Sequence, residues 1–232
     1  MCTVSVVHGK KRTFITSSRD EDPKRETALP PMEYVVNGKK LIFPKDPQGG
    51  GTWFCTDGAS HLGVLLNGAA KAHVKKVSYR KSRGLILLDI MSAASSITPW
   101  SDINLNNIEP FTVILIQDQE YFRLRWDGEN KETKVLDRNK NYIWSSTTLY
   151  SKYIRQEREQ WFFDFLSERE TLNAKDLLGF HKDTQSNDKE NGLVINRNNQ
   201  VKTLSITQSV VKNGHISLVY NALNPKSQIN CS

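Results

Sequence analysis

Polar and apolar residues alternate from Thr3 to Val7, break at His8-Gly9-Lys10-Lys11, and resume in the β-rich run Thr13 to Ser17, which predicts an N-terminal hairpin. Tyr34-Val35-Val36 and Lys40-Leu41-Ile42-Phe43 flank Asn37-Gly38, a pair suited to the positive φ angles of a two-residue turn. Gly51 to Cys55 and His61 to Asn67 flank Asp57-Gly58 and predict a further hairpin, whose last strand is apolar enough for burial and ends at Asn67-Gly68. Asp22 to Pro31 and Pro44 to Gly51 are polar and proline-bearing and read as surface loops.

From Ser82 to Ser96 a long apolar run predicts a helix with Leu85, Leu88 and Met91 on one face, and Thr98-Pro99 has the form of a cap and first position of a shorter one. Phe111 to Gln117 and Glu120 to Trp126 predict paired strands, which Thr133 to Leu136 and Tyr142 to Ser145 are expected to extend into one sheet. In Tyr153 to Arg169 the residues Ile154, Trp161, Phe162, Phe165 and Leu166 recur at helical spacing, with arginines and glutamates expected on the other face, and Asn173 is placed to cap a second helix through Phe180. The polar stretch His181 to Gly192 is expected to be mobile, and strands follow at Leu193 to Ile195, Gln200 to Val211 and His215 to Tyr220, the last two joined across Asn213-Gly214. Hairpins, helices, hairpins, helices and hairpins in that order predict an α+β fold with two stacked antiparallel sheets between helical layers, rather than alternating βαβ units. One domain over residues 1–232 is expected.

No apolar run approaches the roughly eighteen residues of a membrane span, and Met1 to Arg12 lack the apolar core of a secretory signal, so a cytoplasmic location is expected. The net charge of +7 comes from scattered clusters such as Lys10-Lys11-Arg12, Lys75-Lys76 and Arg80-Lys81-Ser82-Arg83. These could attract an anionic substrate, but no nucleic-acid motif accompanies them, and solvated loops explain them as well. The three cysteines, Cys2, Cys55 and Cys231, form neither an even disulfide set nor metal-ligand spacing, and His61, His73, His181 and His215 have no ligand-like spacing, so neither metal nor cofactor is expected. Cys55 is expected in the core and Cys231 in a tail.

Cys2 directly follows the initiator methionine. Once Met1 is removed, one residue carries both a thiol, of reference pKa about 8.5, and an α-amine of about 7.7–8.0 that can take the thiol proton. With the hairpin turn centred between Gly9 and Lys10, Cys2 would face Ser17, with Arg19 diagonally beyond it on the same face. A nearby arginine favours the thiolate, and a carboxylate can hold the amine. Strand alternation favours Arg19 and Glu21 over Asp20 as neighbours of the thiol, unless the strand ends or bulges there. A small residue on an edge strand is the plainer explanation of Cys2 taken alone.

Met1-Cys2-Thr3, Ser18-Arg19-Asp20-Glu21, Gly50-Gly51-Thr52-Trp53, Leu66-Asn67-Gly68 and Tyr79-Arg80-Lys81-Ser82-Arg83-Gly84, in this order, resemble the NRDE family, also called the transport and Golgi organisation protein family. The resemblance implies a four-layer αββα N-terminal-nucleophile hydrolase fold, like that of penicillin V acylases and conjugated bile acid hydrolases, which cleave non-peptide carbon–nitrogen amide bonds. It implies Cys2 as nucleophile, Arg19 beside its sulfur and Asp20 near its amine. Asp22 is a further candidate, because the related acylases space their arginine and aspartate as Arg-x-x-Asp. Asn67, ending a buried strand before a glycine, matches the position of an oxyanion donor, a role worth about 3 kcal/mol, although a strand-end asparagine making a turn would look the same.

Three positions depart from the family pattern. Ser18 stands for its leading Asn, Ser145-Ser146 for an expected Ser-Asn, and Lys202 for an Arg near the final sheet. A serine at 146 weakens or removes a second oxyanion donor, and Lys202 cannot make a bidentate guanidinium contact. The activity so implied is an amidohydrolase or acyltransferase that works through a Cys2 thioester on a small-molecule amide. The alternative is a non-catalytic carrier or chaperone for haem or acyl-CoA/lipid-like ligands, since the resemblance extends to relatives discussed in connection with haem handling and lipid metabolism.

Overall fold

The computed structural model describes residues 3–93 and 97–223; Met1, Cys2, Ala94 to Ser96 and Cys231 lie outside the described residues. Thr3–His8 (β1) and Thr13–Glu21 (β2) form the N-terminal hairpin, with β2 running four residues beyond its expected end at Ser17. Gly9 N–H donates to the Arg12 carbonyl at 2.8 Å, closing a loop centred between Lys10 and Lys11. That centre lies one residue later than expected, so Val4, not Cys2, faces Ser17, and Thr3 faces Ser18.

Leu29–Val36 (β3), Lys39–Lys45 (β4), Phe54–Thr56 (β5), His61–Asn67 (β6), Phe111–Gln117 (β7), Glu120–Trp126 (β8) and Lys131–Val135 (β9) form one antiparallel sheet in chain order. β3 takes up the end of the expected loop, and its register is irregular between Leu29 and Met32, where Pro30-Pro31 lack N–H donors. Asn37 and Gly38 at its turn have φ of 48° and 81°, the signs that an Asn-Gly hairpin requires. Tyr142–Ser145 (β10), Asn196–Arg197 (β11), Val201–Lys212 (β12) and His215–Ala222 (β13) join the hairpin in a second sheet, ordered β10-β1-β2-β12-β11 with β13 beside β12. Contrary to expectation, β10 therefore does not extend the sheet of β7 and β8. It pairs Ser145 with Thr3 and Tyr142 with Val6, and so covers the free edge of β1. Leu193 and Ile195 are buried, but Leu193 to Ile195 is not a strand.

Arg83–Ser92 (α1) and Ile97–Asp102 (α2) lie on the first sheet, and Lys152–Ser167 (α3) and Ala174–Asp183 (α4) on the second, giving the αββα layering. Ser82 caps α1, with its hydroxyl accepting the Leu85 N–H at 3.4 Å. Asn173 and Asp176 form a capping box on α4, which reaches past the expected Phe180 and so includes His181. Between the sheets Val4, Val6 and Ile15 meet Leu62, Val64, Ile114 and Ile116, all essentially buried, each worth about 1.5–3 kcal/mol of transfer free energy. On the other face of the hairpin Val7 and Phe14 pack against Phe162, Leu177 and Phe180 of the helices. A Cβ on Gly51 would stand 2.4 Å from the Gly84 carbonyl carbon, so only a glycine lets the loop before Trp53 press on the start of α1. Among the described residues no helix is long and apolar enough to cross a membrane.

Candidate active site

β2 lies between β1 and β12 and is covered on both faces, so its polar residues must find partners inside the protein. Its odd-numbered side chains share the inter-sheet face with Ile15, and its even-numbered ones share the helix-side face with Phe14. The register of β12 breaks opposite the strand end, with Thr203 paired to Asp20 and Ser205 to Arg19, leaving Leu204 as a bulge residue.

Arg19, 3% exposed, points between the sheets with its guanidinium 4.5 Å from the Trp53 ring centroid. Its Nη2 is 3.6 Å from Glu21 Oε2 and from Asp46 Oδ2, and Asp46 is also held by Arg25 at 2.7 Å. Burial disfavours the charge on Arg19 and lowers its pKa; Glu21 and Asp46 offset only part of that cost, and Arg25 adds to it. Asp20, equally buried, points to the helix side, where it accepts hydrogen bonds from Tyr150 Oη at 2.8 Å and from Thr203 Oγ1 at 2.5 Å. The strand thus presents a cation on one face and a carboxylate on the other at the corner beside Thr3.

Asn67 ends β6 and lines two cavities, one of about 110 Å³ that also contains Arg19 and Trp53, and an open cleft of about 990 Å³ reaching Ser146 and Tyr150. Ser146 Oγ donates to the Asn67 carbonyl at 2.8 Å, so its single hydroxyl hydrogen holds the strand end that carries Asn67. Gly68, with φ of +83°, turns the chain there against Thr147, whose Oγ1 would lie 2.3 Å from an added Cβ. Arg19, Asp20, Asn67 and Ser146 are therefore gathered around one corner. Asp22 is exposed on the following turn, where its Oδ1 accepts the Lys24 N–H at 2.8 Å. Lys202 lines a separate cavity of about 320 Å³ with Lys182, Asp183 and Lys189. Cys2 lies outside the described residues, one peptide bond from Thr3.

Four residues that sequence reasoning left out support this corner. Tyr150 and Thr203 hold Asp20, and the Arg158 guanidinium lies 3.6 Å from the Tyr150 ring centroid. Arg158, 1% exposed, donates to Thr3 Oγ1 at 2.7 Å and to the carbonyls of Asn191 and Gly192. His181 is fully buried, with Nε2 2.8 Å from Ser5 Oγ and Nδ1 2.9 Å from Ser18 Oγ, bridging β1 and β2. Burial, with a smaller repulsion from Arg158, lowers its pKa to about 3, so its ring is neutral and donates to one serine while accepting from the other. His181 to Gly192, expected to be mobile, begins with this anchored histidine. Arg158 could have been found by spacing, since it falls four residues after Ile154 and four before Phe162. Cys55 is buried in the core with its thiol pKa raised by burial, and so is no nucleophile at neutral pH. Among the described residues no group of three or more His, Cys, Asp or Glu is placed to hold a metal ion.

Residues 1–217 match the sequence pattern of Transport and Golgi organisation 2. The chain belongs to that family. No curated protein matches it in sequence. Among solved structures it is similar to a Caenorhabditis elegans ortholog of N-acylethanolamine-hydrolyzing acid amidase, with a TM-score of 0.65 and 12% identity over 92% of this chain and 93% of that one. It is similar also to a mutant conjugated bile acid hydrolase from Clostridium perfringens, with a TM-score of 0.47 and 10% identity over 94% and 92% of the two chains. The likeness to the amidase shows the fold, which is that of an N-terminal-nucleophile hydrolase.

Proposed function

We propose that this family member is an N-terminal-cysteine amidohydrolase, or acyltransferase, acting on a small-molecule non-peptide amide. The observation that carries this reading is the corner at the start of β1, where the residue after Cys2 pairs with Ser18 and is followed across the strand by buried Arg19 and buried Asp20. After removal of Met1 the Cys2 α-amine takes the thiol proton, and the thiolate attacks the amide carbonyl carbon. Asn67 stabilises the oxyanion, Arg19 the thiolate, and Asp20 the protonated amine. The carbon–nitrogen bond breaks as the departing amine takes the proton from the α-ammonium, leaving a Cys2 thioester. Water, or an acceptor amine, then attacks the thioester and restores the thiol. Such a thiol must stay reduced, which agrees with the expected cytoplasmic location. The fold is shared with a protein named for hydrolysing N-acylethanolamines, also small-molecule amides.

Intact mass spectrometry after exposure to p-nitrophenyl octanoate tests this. One octanoyl adduct on Cys2 of protein lacking Met1 is expected; retention of Met1, or no adduct at Cys2, would overturn it. A second reading, a carrier of haem or acyl-CoA/lipid-like ligands, draws on the 990 Å³ of the cleft, room for a large ligand without reaction. On that reading Cys2 stays unmodified while haem shifts its Soret band or acyl-CoA raises the melting temperature.

A further inference from the structure

The cleft that begins at Asn67 and Ser146 runs outward between β10 and β8 and under α3. Its inner wall carries the stacked pair Tyr142 and Trp144, with ring centroids 5.3 Å apart and planes within 6°, which suits the uncharged limb of a ligand. The cleft is also cationic: Lys71, Arg125, Lys140, Lys152 and Arg155 line it against one carboxylate, Glu159.

Two of these cations are held in a way that calls for an acceptor. The Nε–H groups of Arg125 and Arg155 are both buried and have no hydrogen-bond partner among the described residues. A buried donor left unmade is costly, the more so on a charged group. Burial makes the charge of Arg125 harder to hold, neighbouring Arg123 adds to this, Glu132 offsets part of it at 3.5 Å, and Arg155 adds a further repulsion. Arg155 itself makes no ion pair among the described residues. Two mutually repelling guanidinium groups on the wall of an open cleft, one of them without an ion pair among the described residues, are what a bound anion would neutralise.

Their distance from the reacting corner follows from the sheet. Leu66 pairs with Thr112, and Thr112 with Arg125, on one face. Two strand spacings place the Arg125 backbone about 10 Å from Leu66, the neighbour of Asn67.

We propose that the stretch of cleft wall formed by Arg125 and Arg155 is an anion subsite, with the two guanidinium groups as its clamp, and that the substrate is an amide carrying a carboxylate at the end remote from its scissile carbonyl. This rests on the reading of the Cys2 corner as the reacting end. A neutral amide of the same length fills the cleft but leaves the clamp unmet, so charge, not chain length, sets the preference.

The test measures binding apart from turnover, by calorimetry on the Cys2→Ala protein. N-octanoyl-6-aminohexanoate is compared with its uncharged methyl amide, in the unaltered cleft and in Arg125→Gln and Arg155→Gln. At least tenfold tighter binding of the carboxylate is expected, shrinking as salt is raised and falling to less than threefold in either arginine variant, while binding of the methyl amide is unchanged. Equal binding of the two ligands, or a preference that survives both arginine substitutions, overturns the anion subsite. If an arginine variant fails to fold, Arg155→Lys, which keeps charge but loses the planar fork of donors, reads the same preference; an unaltered preference there also counts against the clamp. Charge-selective binding by a protein whose intact Cys2 never acquires an acyl group would retain the subsite and remove the catalytic reading. Acylation without charge selectivity would do the reverse.

Discussion

At the scale of single residues the corner depends on Asp20, a carboxylate in a place where an ionised group needs several donors. Tyr150→Phe removes the 2.8 Å hydroxyl contact to Asp20 while leaving a ring for Arg158 to stack on. A loss of about 1.5–3 kcal/mol in urea unfolding is expected, the range for a hydrogen bond to a charged group. If Asp20 holds the Cys2 amine, acylation by p-nitrophenyl octanoate should also slow at least tenfold. A variant that melts lower yet acylates at the original rate would separate Asp20 from the chemistry. Arg19 was legible in the sequence from strand alternation, whereas Asp20 and Asn67 were expected only through the family resemblance of Ser18-Arg19-Asp20-Glu21 and Leu66-Asn67-Gly68. Tyr150 and Thr203 were legible in neither way, since the contacts that recruit them join positions more than 100 residues apart, and nothing in Leu149-Tyr150-Ser151 or Lys202-Thr203-Leu204 marks them locally.

At the scale of elements, the strand–turn signals served well where both turn residues declare themselves. Asn213 and Gly214, with φ of 51° and 71°, form the turn expected between β12 and β13. The first hairpin shows where that logic ends: in His8-Gly9-Lys10-Lys11 one glycine admits several turn lengths, and a four-residue loop moves every cross-strand partner. β10 went astray for a different reason, because a four-residue strand carries no information on which edge it will cover. The apolar stripe of α3 marks its inner face in the sequence, but the rule that charged residues lie on the outer face fails at Arg158. A guanidinium can go inside when carbonyls and hydroxyls meet its donors, and here it ties α3 to Thr3 of β1 and to the chain after α4. Arg158→Met should therefore cost about 3 kcal/mol or more, by leaving buried acceptors unmet, as read in urea unfolding. Arg158→Lys should recover less than half of that loss, because an ammonium cannot span the same fork of acceptors. Full recovery by lysine would mean that charge alone, not the planar donor set, holds the layers.

At the scale of the whole molecule, the two-sheet stack buries an imidazole between its second sheet and α4, and this couples the fold to pH. His181 faces Ser5, Ser18 and Arg158, none of which offers it a negative charge, and its pKa falls from 6.5 to about 3 through burial and the Arg158 charge. His8 shifts the same way, to about 4, through burial and the charge of Arg138. A histidine of depressed pKa binds its proton more readily in the unfolded chain. Its contribution is therefore complete above about pH 6.5 and is lost as pH falls toward the folded-state value near 3. At pH 5 the His181 share of that loss is about 2 kcal/mol, or roughly 4–8 °C of melting temperature for a chain of this size. Thermal melts between pH 7.5 and 5 should thus fall, and His181→Asn, which keeps a polar group between the two serines but cannot titrate, should fall by several degrees less over the same interval while starting from a lower melting temperature. Parallel curves for the two proteins would show that the buried histidine is not the group through which acid loosens the hairpin from its helices.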